Sequence, residues 1–396
     1  MTATHNLSTM SSRDSRATQA AAVVAAVALA VACPAGSALA ARPHGVVPRA
    51  PAAGSVAWVV NAKSATVTPV DLAKHRAGKA LKVGRGPSGI VVSPDGRTAY
   101  VLCSGARTVT PIDTVARRAR APIPIGSGAG DSAHPGGIAI TPDGSTVYAV
   151  DPGADAVTPV DTATDVAGAV IPVGRHPLQI AITPDGHTAY VLDWEGRSVT
   201  PIDTSTDVAG PAIQVGSYPF AIAITPNGKT AYVANYGSDT VTPINIATNT
   251  AGPAIHVGIA PDAIAITLNG KTAYVVDGDS NAVTPINVAT NKAGPRIKVG
   301  NAPEGIAISA SGATAYVVNN IYGSVTAIAT NHNRPIATIP AGSYPYPTAI
   351  ALAPTGHLAV TVDTYTGRLS LLDIAKRRLV ARVAVGATPV AVAFGR

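Results

Sequence analysis

The chain is short of the residues that most catalytic and redox proteins spend freely. Its 396 residues include two cysteines, two tryptophans, two phenylalanines and two methionines, and only 13% are charged. Glutamate occurs twice, as Glu195 and Glu304. One cysteine, Cys33, lies in an N-terminal apolar segment. Removal of that segment leaves Cys103 alone, which excludes an intrachain disulfide, a cysteine-rich zinc site and a Cys-x-x-Cys-His haem attachment. Also missing are Gly-x-Ser-x-Gly, His-Glu-x-x-His, a phosphate loop and the Rossmann glycine pattern, so the common nucleophile, zinc-protease and nucleotide signatures are excluded. No apolar run in the body of the chain has the length or the 3.6-residue stripe of a helix.

What is present is repetition. Ser217 to Gly258 form a 42-residue unit, and the following 42 residues repeat it almost letter for letter. A period of this length marks a repeat architecture. Each copy holds four short runs rich in Val, Ile, Thr and Tyr; here they are Phe220–Thr225, Thr230–Asn235, Thr240–Asn245 and Ala254–Val257. Pro, Asn, Asp and Gly separate them, which is the chemistry of strands and turns. Four strands in about 42 residues predict a propeller blade.

Full units begin at Arg85, Ser127, Arg175, Ser217, Ile259, Asn301 and Ser343. Residues 55–84 lack a first strand, and the C-terminal Ala387 to Arg396 resemble a first strand and nothing more. Joining the two ends makes a composite blade and removes the open edges of an unclosed array. The expected fold is therefore all-β, a single propeller over 55–396 with eight blades, seven being the alternative. Within first strands, Ile alternates with Ala, as in Ile222-Ala223-Ile224, giving each blade a bulky and a flat face. Tyr100, Tyr148, Tyr190, Tyr232, Tyr274 and Tyr316 recur at one register and belong to the core scheme.

Ahead of the repeats, Arg13 and Arg16 precede an apolar run from Ala20 to Ala32, and Ala38-Leu39-Ala40 offers a small-residue cleavage site. Residues 1–40 are expected to be a secretory signal peptide. Lipidation at Cys33 and an uncleaved anchor are the alternatives. Residues 41–54, rich in Pro and Ala, are expected to be a linker. The protein is expected outside the cytoplasm, secreted or at the cell envelope, as a monomer.

Ala231-Tyr232-Val233-Ala234-Asn235 follows the Pro226-Asn227-Gly228 turn, and the pattern recurs along residues 55–396. It resembles the YVTN or YncE-like family of extracytoplasmic β-propellers. The resemblance implies the propeller fold. It also implies, through an association of YncE-like relatives with DNA, nucleic acid as a partner. It names no activity, because propellers host many.

Function is sought where copies differ. Six tyrosines fall outside the repeated register, in loops expected on the top face: Tyr218, Tyr236, Tyr322, Tyr344, Tyr346 and Tyr365. Trp194 joins them. Such aromatics could stack on a sugar ring or a peptide, so a protein or a polysaccharide is the expected kind of partner. His134 and His176 precede prolines in successive units, as a pair suited to acid–base or ligand chemistry. A column closes each second strand: Asn61, Cys103, Asp151, Asp193, Asn235, Asp277, Asn319 and Asp363. Its bland reading is turn capping. Its functional reading is a Ca²⁺ or Mg²⁺ site on Asp151, Asp193, Asp277 and Asp363, supporting lactonase- or lyase-type chemistry. Otherwise no cofactor is expected. On the bottom rim, Lys74 and Arg76, then Arg117, Arg118 and Arg120, then Lys376, Arg377 and Arg378 become neighbours if the ring closes. That patch could meet an anionic polymer or nucleic acid, or simply be solvated. The leading expectation is a binding or scaffold module with its ligand on the top face.

Overall fold

The computed structural model describes residues 56–126, 136–342, 347–354 and 356–395. The segments read as signal peptide, Cys33 site and linker lie outside the described residues, as do His134, Tyr344 and Tyr346.

Eight antiparallel sheets pack side by side around a ring. Blade 1 is the composite: the C-terminal Pro389–Phe394 pairs antiparallel with Val56–Asn61, which pairs with Thr66–Asp71. First strand packs on first strand from blade to blade, and Pro389–Phe394 packs against Pro87–Val92 of blade 2 to complete the circle. Among the described residues there is no α-helix; the 3-10 turns Ser104–Ala106, Pro152–Ala154 and Gly278–Ser280 join second to third strands. The core is divided into apolar layers between blades, such as Ala221, Tyr232, Val241, Ile266, Val275 and Ile286.

The outermost strand departs from the four simple runs expected. In six blades it is split, as Thr250–Ala251 and Ile255–His256 in blade 5. In blades 7 and 8 it is continuous, Arg334–Pro340 and Arg378–Ala384. The cause lies in the third strand. The six split blades carry a proline there: Pro69, Pro111, Pro159, Pro201, Pro243 and Pro285. Proline has no N–H to give to the next strand. Its carbonyl still accepts one bond, as Gly252 N to Pro243 O at 2.7 Å, and the outer strand then leaves the ladder. Blades 7 and 8 have Ala327 and Leu371 at that register, paired with Ala337 and Ala381.

The repeated tyrosines do more than fill space. Each ring is buried, and the hydroxyls of Tyr100, Tyr148, Tyr190, Tyr232 and Tyr274 cross to the third-to-fourth turn of the next blade. Tyr148 donates to Asp207 Oδ1 at 2.6 Å, and Tyr190 and Tyr232 donate to Asn249 and Asn291 at 2.5 Å. The accepting residues adopt positive φ, which Asn and Asp tolerate best. These bonds bolt consecutive blades at the bottom face.

Tyr232→Phe should lower unfolding free energy by about 1 kcal/mol, as loss of one largely buried hydrogen bond does; denaturant unfolding followed by circular dichroism measures it. Truncation after Gly386 removes the closing strand and exposes the Val56–Asn61 edge. Size-exclusion chromatography should then show association or unfolding, and a monomer of unchanged melting temperature would contradict closure at this seam.

Candidate functional site on the top face

The column that ends each second strand is the framework of the top face. Asn61, Cys103, Asp151, Asp193, Asn235, Asp277 and Asn319 are buried. Asn235 Nδ2 donates to Thr240 and Thr242 Oγ1 at 3.1 and 2.9 Å, and Asn61 and Asn319 repeat the pattern. Asp193 Oδ2 accepts from Ser198 and Thr200, and Asp277 Oδ2 from Thr284.

Against each of these residues lies the glycine that ends the preceding unit. A Cβ on Gly84, Gly126, Gly174, Gly216, Gly258, Gly300 or Gly386 would come within 3.0 Å of the column residue of the following blade. At Gly300 the backbone N–H donates to Asn319 Oδ1 at 2.9 Å. The recurring glycine is thus set by close approach, and the column is a top-face latch between blades.

That use engages the column aspartates separately. The four aspartates meet three different environments. Asp151 is ion-paired with Arg107 at 2.6 Å, Asp193 and Asp277 are enclosed by hydroxyls, and Asp363 is half-exposed and accepts from the N–H groups of Tyr365 and Thr366. Among the described residues no three His, Cys, Asp or Glu side chains gather to hold a metal ion. The calcium-loop spacing from Asp277 to Asn281 is also spent on the joint: Ser280 Oγ accepts from Ile259 N, and Asn281 Oδ1 from Ala302 N.

Burial pushes the carboxyls of Asp193 and Asp277 up to about 6 despite these hydrogen bonds.

The residues just past the column face the channel mouth. A β-bulge follows the proline of the first strand in blade after blade, with the register shifting across Ser88, Leu178, Phe220, Asp262, Glu304 and Thr348. Bulges re-aim a side chain. Here each bulged residue meets the residue 16 positions later, in the second-to-third turn. Ser88 meets Ser104 at 2.8 Å, Thr348 meets Thr364 at 3.0 Å, and Glu304 Oε1 accepts from Asn320 Nδ2 at 2.6 Å. Leu178 shares an apolar cluster with Trp194, and Phe220 stacks near Tyr236 at 5.8 Å.

Blades 4 and 5 therefore bring four rings together. Trp194 lies 5.0 Å from Tyr218, 5.6 Å from Phe220 and 6.2 Å from Tyr236 between centroids. Backbone bonds fix them, Trp194 N to His176 O and Tyr236 N to Tyr218 O. Tyr218 is 37% exposed and Trp194 half-buried, so these two present the outer surface, with Phe220 and Tyr236 buried beneath. Three of these rings were expected from sequence. Phe220 reads there as a core strand residue, and the sixteen-residue spacing is the signal that would find it. Tyr322 and Tyr365 stand apart, at 70% and 64% exposure, outside this cluster. His176 has positive φ, and its N–H donates to Asp155 Oδ1. Its expected partner His134 lies outside the described residues.

The next two blades carry an acidic pair. Asp262 and Glu304 occupy the same bulge position in blades 6 and 7. Glu304 thus lies on a first strand, not in a top-face loop; only Glu195 is in such a loop, ion-paired with Arg175. Burial, with the charge of Glu304 next, pushes the Asp262 carboxyl well above the usual carboxylate range.

At the bottom, ring closure does bring the basic residues near one another. The outer strand of blade 1 packs against that of blade 8, and Arg117 reaches Gly78 of blade 1. Lys74, Arg76, Arg117, Arg118, Lys376, Arg377 and Arg378 are exposed. Arg120 is the exception: it is partly buried in an ion pair with Asp165 of blade 3 at 2.9 Å.

Asp193→Asn and Asp277→Asn copy the asparagine of sister blades. A buried carboxyl raised from 3.8 to about 6 contributes stability that is complete below about pH 3.8 and is lost as pH rises through about 6. Each variant should therefore gain about 1–3 kcal/mol over the parent near pH 7, and less near pH 4. Denaturant unfolding across that range checks it; an equal effect at both pH values would contradict the burial argument.

A family model described as "Lactonase, 7-bladed beta-propeller" matches residues 131–298, less than half of the chain. No curated protein matches the sequence. Among solved structures, hydrazine synthase of Kuenenia stuttgartiensis is similar with a TM-score of 0.59 and 22% identity, covering 73% of this chain and 95% of that one. The dihydro-heme d1 dehydrogenase NirN, in complex with DHE, has a TM-score of 0.72 at 15% identity, covering 88% and 77%. Apo AztD from Citrobacter koseri has 0.64 at 13%, covering 86% and 98%. Identities this low show shared architecture alone. The chain is an eight-bladed β-propeller, one blade more than the description of the family model that matches residues 131–298.

Proposed function

We propose that the protein is an exported binding module whose ligand rests on the top face at the joint of blades 4 and 5. The observation that carries this reading is the cluster of Trp194, Tyr218, Phe220 and Tyr236. Two buried rings hold two outer rings in place, so stacking a planar or apolar ligand face orders little additional side chain. The resemblance to YVTN or YncE-like propellers and the N-terminal segment support export to the envelope. The wider bottom rim supports an additional anionic partner, and such contact would weaken steeply with salt. The family match over 131–298 favours a second reading, a lactone-opening enzyme; hydrolysis of a simple δ-lactone above the buffer rate would support it.

Trp58 is buried in the core, so Trp58→Phe leaves Trp194 as the single indole reporter. In that background, 2-phenylethanol or cellotetraose at millimolar concentration should change Trp194 emission. Tyr218→Ala should weaken the response about tenfold or more, with the melting temperature held. A ligand whose affinity is unchanged by both Trp194→Ala and Tyr218→Ala would overturn the reading.

A further inference from the structure

Every blade ends in an outer strand whose far edge pairs with nothing in its sheet. Such an edge is a template for another extended chain. In six blades the third-strand proline breaks the edge into two-residue pieces. Arg334–Pro340 of blade 7 is continuous but carries Pro335 and Pro340, which have no N–H to offer. Among the described residues, only Arg378–Ala384 of blade 8 is an outer strand both continuous and free of proline. It follows Arg368–Asp373 along its whole length, with a single bulge at Val380.

The charge along this edge has one sign. Residues 376–384 hold Lys376, Arg377, Arg378 and Arg382, all exposed, and no acid. The outer strands of blades 7 and 1 pack on either side of it. Residues 74–82 of blade 1 add four Lys or Arg and residues 334–340 of blade 7 add one, again without an acid. The nearby carboxylate of Asp373 is engaged in its own turn, where it accepts the Lys376 N–H at 2.8 Å. The strand register puts Arg378 on the face of Ala381 and Val383, which pack in the layer shared with blade 1. Arg382 lies on the opposite face with Leu379, toward blade 7, its guanidinium against Gly342. A strand added to this edge would meet an arginine on each of its faces.

Charge decides between the occupants. A second copy would bring its own four cations against these four, and like charges placed on edges are how sheets avoid pairing with themselves. The chain's own residues 41–55 carry Arg42 and Arg49 and three prolines, so they have the wrong sign and lack donors. A polyanion without amides would answer the charge but make no use of an unbroken row of backbone N–H and C=O groups. An extended acidic polypeptide answers both. Its backbone continues the ladder, and its alternate side chains reach the arginines, which bind carboxylates through two parallel hydrogen bonds.

We propose that the outer edge of blade 8 is a docking strand for an extended acidic segment of a partner protein, which adds to Arg378–Ala384 as a fifth strand with its carboxylates on Arg378 and Arg382. This rests on the basic rim described above, narrows its anionic partner to a polypeptide, and is independent of the top-face site.

The test uses a labelled peptide of about seven residues alternating Glu and Val, read by fluorescence anisotropy on the full chain. The same peptide N-methylated at alternate residues keeps the charge but cannot continue a ladder, and should bind at least about tenfold more weakly. Arg378→Glu and Arg382→Glu should each weaken the parent peptide about tenfold. Leu371→Pro gives blade 8 the third-strand proline of six sister blades, and should abolish binding while circular dichroism stays that of a β-propeller. Trp194→Ala should leave peptide binding unchanged, which separates this edge from the top face. Equal binding of the N-methylated peptide, or of a heparin oligosaccharide with the same dependence on Arg378 and Arg382, would overturn strand addition and leave a plain basic rim. Peptide binding indifferent to both charge reversals, or absent at about 1 mM, would overturn the proposal outright. A dimer of the unliganded chain in sedimentation velocity, dissolved by Leu371→Pro, would assign the edge to a second copy instead.

Discussion

The joints from blades 2 and 3 through blades 6 and 7 are closed at two levels, and the packing between these blades depends on both. At the bottom a buried tyrosine reaches across to an Asn or Asp in the next blade's outer turn. At the top a glycine, too close to its neighbour to carry a side chain, abuts the column residue of the following blade. Between the two, apolar faces pack without directional bonds. Hydrophobic packing supplies most of the driving force but little positional selectivity; the two polar contacts fix how far one blade turns against the next. The glycine contact also serves the seam, where Gly386 abuts Asn61, whereas Val360 of blade 8 and Trp58 of blade 1 stand at the tyrosine register there.

The channel mouth shows how such a scaffold makes room for recognition. The bulge after each first-strand proline lifts one side chain out of the ladder and sets it against a turn residue. Changing that pair costs the blade little, since neither residue takes part in the tyrosine bolt or the glycine latch. Hydroxyls in blades 2 and 8, rings in blades 4 and 5 and carboxylates in blades 6 and 7 can coexist on identical frames. The mouth is polar along one arc and aromatic along another.

Much of this was legible in the sequence, and the rest failed for specific reasons. The 42-residue period, the missing first strand and the orphan C-terminal strand gave eight closed blades, because period and alternation are local properties of a chain. The split outer strand was also written there, in the proline of each third strand, but its effect is on a neighbour rather than on its own strand. The column was visible as a row of Asp and Asn; its partners were not, because the latch glycine belongs to the preceding unit. Trp194, Tyr218 and Tyr236 stood out as departures from the repeat. Phe220 and Asp262 did not, since both lie inside runs that look like core, and only the bulge turns them toward the mouth.

The joints carry one more consequence. From blades 2 and 3 through blades 6 and 7 each is made from the same parts, so nothing in these joints registers how many blades the ring contains. The number is fixed by the length of chain that runs before the last strand meets the first. A duplicated unit would bring its own bolt, latch and proline-split edge, and would be accepted as readily as its neighbours. Near-identical adjacent units, and one blade beyond the seven in the matching family description, are what growth by copying would leave behind.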